Sequence, residues 1–163
     1  MKKVIVIGCP GSGKSHFSRA LHIKTGLSLY HLDMMYWNAD KTTVEREVFL
    51  ARLCGVLSRG EWIIDGNYGS TMEQRIQACD TVFFLDYKTD VCLDGVRARR
   101  GKVREDLPWV EVGEDAEFCE YVMAFREEQR PGIISLLQKY GDKRIYTFND
   151  RSEADAFLDS LSV

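Results

Sequence analysis

Short apolar runs alternate along the chain with longer segments whose apolar residues recur every three to four positions. Val4-Ile5-Val6-Ile7 is β-branched throughout. It is too short for a helix and suits a strand buried on both faces. Ser28–Leu32, Trp62-Ile63-Ile64, Thr81–Leu85 and Arg144–Phe148 read as four further strands. Between them, Lys14–Thr25 carries Phe17, Ala20, Leu21 and Ile23 at helical spacing, with Gly26 as a stop. Thr42-Thr43-Val44-Glu45 fits a capping box ahead of a helix whose apolar face is Val44, Val48, Phe49, Leu53, Val56 and Leu57. Ser70-Thr71-Met72-Glu73 fits a second box. Thr89–Arg100 is expected to be helical, as is a long region from Glu114 that breaks at Arg130-Pro131, because proline disfavours helix in the residue before it. Ser152-Glu153-Ala154-Asp155 begins a last helix bearing Ala156, Phe157 and Leu161.

Strands alternating with helices predict right-handed βαβ crossovers and an α/β fold, with a parallel sheet covered on both faces. In such sheets ligands bind beyond the carboxyl ends of the strands. Three polar residues fall there: Asp33, placed in a loop after the second strand, Asp65 after the third, and Asn149 after the fifth. The turn after the first strand falls there too.

That turn, Gly8-Cys9-Pro10-Gly11-Ser12-Gly13-Lys14-Ser15, fits G-x-x-x-x-G-K-[ST]. Gly8, Gly11 and Gly13 let backbone N–H groups face a phosphate where side chains would block close approach. Pro10, Ser12 and His16 lie in or beside the same cradle. The helix beginning near Lys14 adds the positive end of its dipole. Lys14 can reach the β- and γ-phosphates, and the Ser15 hydroxyl can ligate Mg²⁺. Cys9 has two readings: a thiol with its pKa lowered near a helix N-terminus, or a small residue at a variable position.

At 163 residues the chain fits one domain, with 45% hydrophobic and 29% charged residues as in ordinary globular proteins. A net charge of −3 offers no global attraction to nucleic acid or anionic membrane, and neither is an expected partner. The opening Met-Lys-Lys imitates a signal peptide, but the apolar run after it stops at four residues. Cys9, Cys54, Cys79, Cys92 and Cys119 are odd in number and lack C-x-x-C spacing, so free thiols in a reducing cytoplasm are expected.

The phosphate loop, the Asp after the second strand and the apolar run ending in Asp65-Gly66 together resemble P-loop kinases of the adenylate kinase and shikimate kinase type. HLDMMYW, WIIDGNY and the Arg-rich segment followed by REEQRP are similar to the bacterial topology modulation (FlaR-like) proteins. The resemblance implies a three-layer P-loop NTPase fold, with a five-stranded parallel sheet in the order 2-3-1-4-5. It also implies a single unit over residues 1–163 with a short lid at roughly 97–113. ATP and Mg²⁺ would be bound, with Asp65 as the Walker-B-type acid beside Ser15. Arg97, Arg99, Arg100, Lys102 and Arg104 put five basic residues in eight positions. Lid arginines, a solvated helix end and a nucleic-acid patch are the three readings, and the acidic residues that follow weaken the last. In the lid reading Arg99 acts in catalysis, while Arg97 and Arg100 hold nucleotide. Arg126 and Arg130 share a helix face and need an anion or a carboxylate between them. A catalytic role and a structural one, with Glu127 or Asp65 as partner, stand side by side. Tyr36 and Trp37 form either the wall of an acceptor pocket or simple packing under a loop.

Adenylate kinases carry an arginine soon after the Asp-Gly of the third strand, where this chain has Asn67, Tyr68 and Gly69; Arg75 is a less favoured substitute. The expected activity is therefore transfer of phosphate from ATP to a small molecule, through a hydroxyl that Asp33 orients. A loop cap and a role in ordering a Mg²⁺-bound water are the other readings of Asp33. The alternatives for the chain are a nucleoside monophosphate kinase, a nucleotide-binding regulator of DNA topology, and a slow NTPase. The oligomeric state stays open.

Overall fold

The computed structural model describes residues 1–162. Its centre is β1 (Lys3–Gly8), flanked by β3 (Trp62–Asp65) and β4 (Thr81–Leu85); β2 (Leu29–His31) and β5 (Arg144–Phe148) form the two edges. All the pairings are parallel and the order is 2-3-1-4-5, as the resemblance implied. Val4 to Ile7, Trp62 to Ile64 and Val82 to Phe84 are wholly buried, which is why their runs are continuously apolar instead of alternating. The helices are α1 (Lys14–Thr25), α2 (Leu32–Tyr36), α3 (Arg46–Leu57), α4 (Gly69–Ala78), α5 (Thr89–Arg99), α6 (Ala116–Glu128), α7 (Arg130–Lys139) and α8 (Arg151–Ser160). They cover both faces of the sheet in a three-layer P-loop NTPase arrangement. On one face, Phe17 of α1 and Phe157 of α8 each lie 5.0 Å from the ring of Phe83 at the middle of β4.

Three local expectations change. The second strand stops at His31, and Asp33 lies in a helical turn instead of a loop. Leu32 and Met35, spaced i, i+3, are both buried, and that burial coils the segment. The Thr42-Thr43 pair caps no helix. Thr42 closes a turn by accepting from Asn38 N at 2.8 Å, and Thr43 bridges to Trp37, so α3 starts later, at Arg46. The Ser70 box is likewise unused, because α4 begins at Gly69 behind Tyr68. The break at Arg130-Pro131 falls where expected, between α6 and α7. The last helix begins one residue ahead of Ser152, with Asp150 capping it by accepting from Glu153 N at 3.0 Å.

Candidate active site

The turn between β1 and α1 wraps tightly: Ser12 N donates to Cys9 O at 3.0 Å, and Gly13 (φ 90°) sits at the helix cap. Helix α5 presses on this loop at Gly95. A Cβ there would lie 2.0 Å from Gly11 O, and one on Gly11 would lie 2.0 Å from Cys92 O. Glycine at both positions lets two backbones touch. Lys14 donates to the carbonyls of Gly8 at 2.9 Å and Cys9 at 3.3 Å. Burial lowers its pKa, opposed by the charge of Asp65. The Cys9 thiol is buried and pushed up, first by its hydrogen bond with Cys92 and then by desolvation, so the low-pKa reading is corrected.

A cleft of about 1100 Å³ opens over this loop. Of the residues expected there, Pro10, Gly11, Gly13, Lys14, Ser15, His16, Asp33, Asp65 and Arg99 line it. Gly8 contributes from beneath: its N–H donates to Asn67 Oδ1 at 3.1 Å, and its carbonyl accepts from Asn67 Nδ2 at 2.6 Å. Ser12 lines a smaller cavity of about 80 Å³ beside the loop, where its Oγ is buried with no partner among the described residues.

The acids occupy one side. Asp65 is 5% exposed, and its Oδ2 lies 2.9 Å from His31 Nδ1. Burial alone would lower the His31 pKa; the hydrogen bond and charge of Asp65 override it and raise it. Asp33 accepts a short hydrogen bond from the Tyr68 hydroxyl. Its pKa is raised, chiefly by burial, with Tyr68 and Lys14 pulling the other way. A third acid, Asp106, reaches in from the segment between α5 and α6. It accepts from Ser15 Oγ at 2.6 Å and from Arg104 at 3.0 and 2.5 Å. Burial opposes its ionisation, but Arg104 and Ser15 outweigh burial and bring its pKa down to about 2. The sequence reading treated Asp106 only as a balancing charge. Nothing in its spacing showed that the segment would fold back onto Ser15.

Among the described residues no three His, Cys, Asp or Glu side chains converge as a metal-binding group. Ser15 and Asp65 nevertheless line the same cleft as Lys14. One hydroxyl and one carboxylate fit Mg²⁺, which keeps several waters and takes its other ligands from phosphates. The glycine cradle, Lys14 and the orphaned Ser12 hydroxyl fit a polyphosphate.

The other expected residues lie elsewhere. Arg97 pairs with Asp94 at 3.7 Å, and Arg100 with Glu114 at 3.2 Å; neither lines the cleft. Arg126 and Arg130 grip Asp86, at the end of β4, at 3.2 Å and 2.7 Å. The carboxylate between them is thus Asp86 and not Glu127 or Asp65, and the structure does not bring the pair into the cleft. Asn149 bonds to Glu153 and is exposed, whereas Arg151, two residues on, donates to Gly11 O at 3.3 Å and lines both cavities. The end of the fifth strand was the right place to look, but the chain turns into α8 and the side chain that points back is Arg151. Trp37 lines the cleft, with Tyr36 packed on it at 5.2 Å. Arg75 is fully buried, so it cannot grip an acceptor phosphate.

No family model matches the chain, and no curated protein matches it. Among solved structures it is similar to shikimate kinase from Bacteroides thetaiotaomicron, with a TM-score of 0.56 at 19% identity, over 97% of this chain and 94% of that one. The likeness is one of fold, and it does not point to the topology modulation group. No helix among the described residues is long and apolar enough to cross a membrane.

Proposed function

We propose that this chain is an ATP- and Mg²⁺-dependent phosphotransferase whose acceptor is a hydroxyl of a small molecule. The observation that carries this reading is the placement of Asp33. Its carboxylate is aimed by Tyr68 and shares one cleft with Lys14, Ser15 and Asp65. MgATP would supply the phosphoryl group, with Ser15 and Asp65 as the residues that would hold the metal, which would offset negative charge on the phosphates. The phosphate-loop N–H groups, Lys14, Arg99 and Arg151 hold and orient the polyphosphate. Asp33 accepts the acceptor's proton as the hydroxyl oxygen bonds to the γ-phosphorus, while the bond from that phosphorus to the β,γ-bridging oxygen breaks and ADP leaves. Such transfer is mostly positioning and charge stabilisation, so a basic residue facing the transferred group has a large effect on rate. Arg99, held by Glu111 at 3.1 Å in the cleft wall, takes that place.

A nucleoside monophosphate acceptor is disfavoured. Its phosphate needs an arginine beyond Asp65-Gly66, and Arg75 is sealed inside the fold. The test is ATP consumption screened across sugars, polyols, small alcohols, nucleosides and nucleoside monophosphates. Turnover should appear with an unphosphorylated hydroxyl compound. It should fall at least ~10²-fold in Asp33→Asn while MgATP affinity is kept. Because Asp33 must be ionised and its pKa is raised, the rate should decline with acid above the ordinary carboxylate range. Turnover confined to nucleoside monophosphates, and retained by Asp33→Asn, would overturn the reading.

A further inference from the structure

The loop between β3 and α4 joins the two halves of the cleft. Asn67 holds Gly8, at the entry to the phosphate loop, by two hydrogen bonds of 3.1 and 2.6 Å. The next residue, Tyr68, gives its hydroxyl to Asp33. Both contacts are made from a strained backbone. Tyr68 has φ 27° and ψ 80°, a backbone conformation that a bulky side chain rarely adopts. Strain of this kind persists only where the surroundings impose it.

The constraint comes from Arg75, in the last turn of α4 and fully buried. Its guanidinium donates to three successive carbonyls: Gly66 at 2.9 Å, Asn67 at short range and Tyr68 at 3.2 Å. Its Nε donates to Thr71 Oγ1 at 3.2 Å, and the Thr71 hydroxyl donates in turn to Tyr68 O. No carboxylate pairs with Arg75 among the described residues. A buried cation that spends its donors on one loop's backbone is costly to keep for stability alone, since burial of an unpaired charge opposes folding.

We propose that Arg75 is a positioning residue, which fixes the Gly66–Tyr68 loop so that one rigid segment aims Asp33 through Tyr68 and clamps the phosphate loop through Asn67. Its link to catalysis rests on the reading of Asp33 as the group that orients the acceptor hydroxyl. The contact chain itself can be tested without an acceptor. The planar fork of Arg75 reaches three carbonyls at once, which the single ammonium of lysine cannot do. Arg75→Lys should therefore release Tyr68 while keeping the charge.

The readout is the ¹³C shift of the Asp33 carboxyl, titrated with pH in the ligand-free chain. Lys14, Asp65, Asp106 and Arg104 also face this carboxyl and are substituted in none of the variants. Tyr68→Phe removes a hydrogen bond that favours the ionised form, so the Asp33 midpoint should move upward. Arg75→Lys should move it in the same direction. Thr71→Val, a milder loosening of the same hub, should give a smaller shift of that sign. If Arg75→Lys is folded by its amide spectrum and leaves the midpoint unchanged, the proposal is overturned. If that variant does not fold, Thr71→Val decides: a lower melting temperature with no movement of Asp33 makes Arg75 structural only. MgATP binding by the unmutated chain bears separately on the kinase reading.

Discussion

The behaviour of individual side chains here is set by what they are held against, more than by what they are. Arg126 and Arg130 are the right type and spacing for a phosphate clamp, yet both are spent on Asp86, which is 7% exposed. Arg130 takes both oxygens of that carboxylate, at 2.8 and 2.7 Å. Arg130→Ala should therefore cost stability, roughly 1–3 kcal/mol, by leaving a buried carboxylate with one partner. MgATP affinity should stay within about twofold, well below the tenfold that a 1.4 kcal/mol loss in binding would produce. Thermal unfolding together with a nucleotide titration checks both halves, and a variant of normal stability with lost affinity would contradict the assignment. Spacing showed that the two arginines share a helix face. It could not show that the carboxylate they need lies about forty residues upstream. The same limit hid Asp106, whose partner Ser15 lies 91 positions upstream on α1.

At the scale of elements, strands and helices were legible wherever burial was continuous or strictly periodic, as in β1, β3, β4 and α1. They were misread where polar residues took part in turns. Thr42 and Thr43 look like a helix cap and instead build the turn that returns the chain to Trp37. Ser70 and Thr71 look like another, but the strained Tyr68 takes the cap position because Arg75 holds its carbonyl. The contact between α5 and the phosphate loop was invisible in sequence, since Gly95 reads only as a weak helix residue. Helix propensity alone says that Gly95→Ala should stabilise the chain by up to about 1 kcal/mol. The packing against Gly11 reverses the sign. A methyl group 2.0 Å from a carbonyl oxygen must displace the helix or the loop. The variant should lose about 1–3 kcal/mol and bind MgATP more weakly, because the loop that moves is the proposed phosphate cradle. Calorimetric unfolding decides: a raised melting temperature would show that α5 does not press on Gly11.

For the whole molecule, the strand order 2-3-1-4-5 gathers chemistry from distant sequence onto one edge of the sheet. Lys14 and Ser15 follow β1, Asp33 follows β2, Asp65 ends β3 and Arg151 follows β5. Apart from Arg151, in whose place Asn149 was expected, that convergence was readable from the alternation of strands and helices, because parallel crossovers return every strand in the same direction. The identity of the acceptor was not, since it depends on side chains from several elements and a folded-back segment. The central claim is that the Gly8–Ser15 loop binds MgATP through its backbone and Lys14. Isothermal titration of MgATP into the chain and into Lys14→Ala tests it most directly, with melting temperatures taken for both without nucleotide. Saturable one-site binding by the unmutated chain is predicted, weakened at least ~10-fold in the variant, a loss of about 1.4 kcal/mol, with the fold intact. No binding by the unmutated chain, or equal affinity in the two, would contradict it.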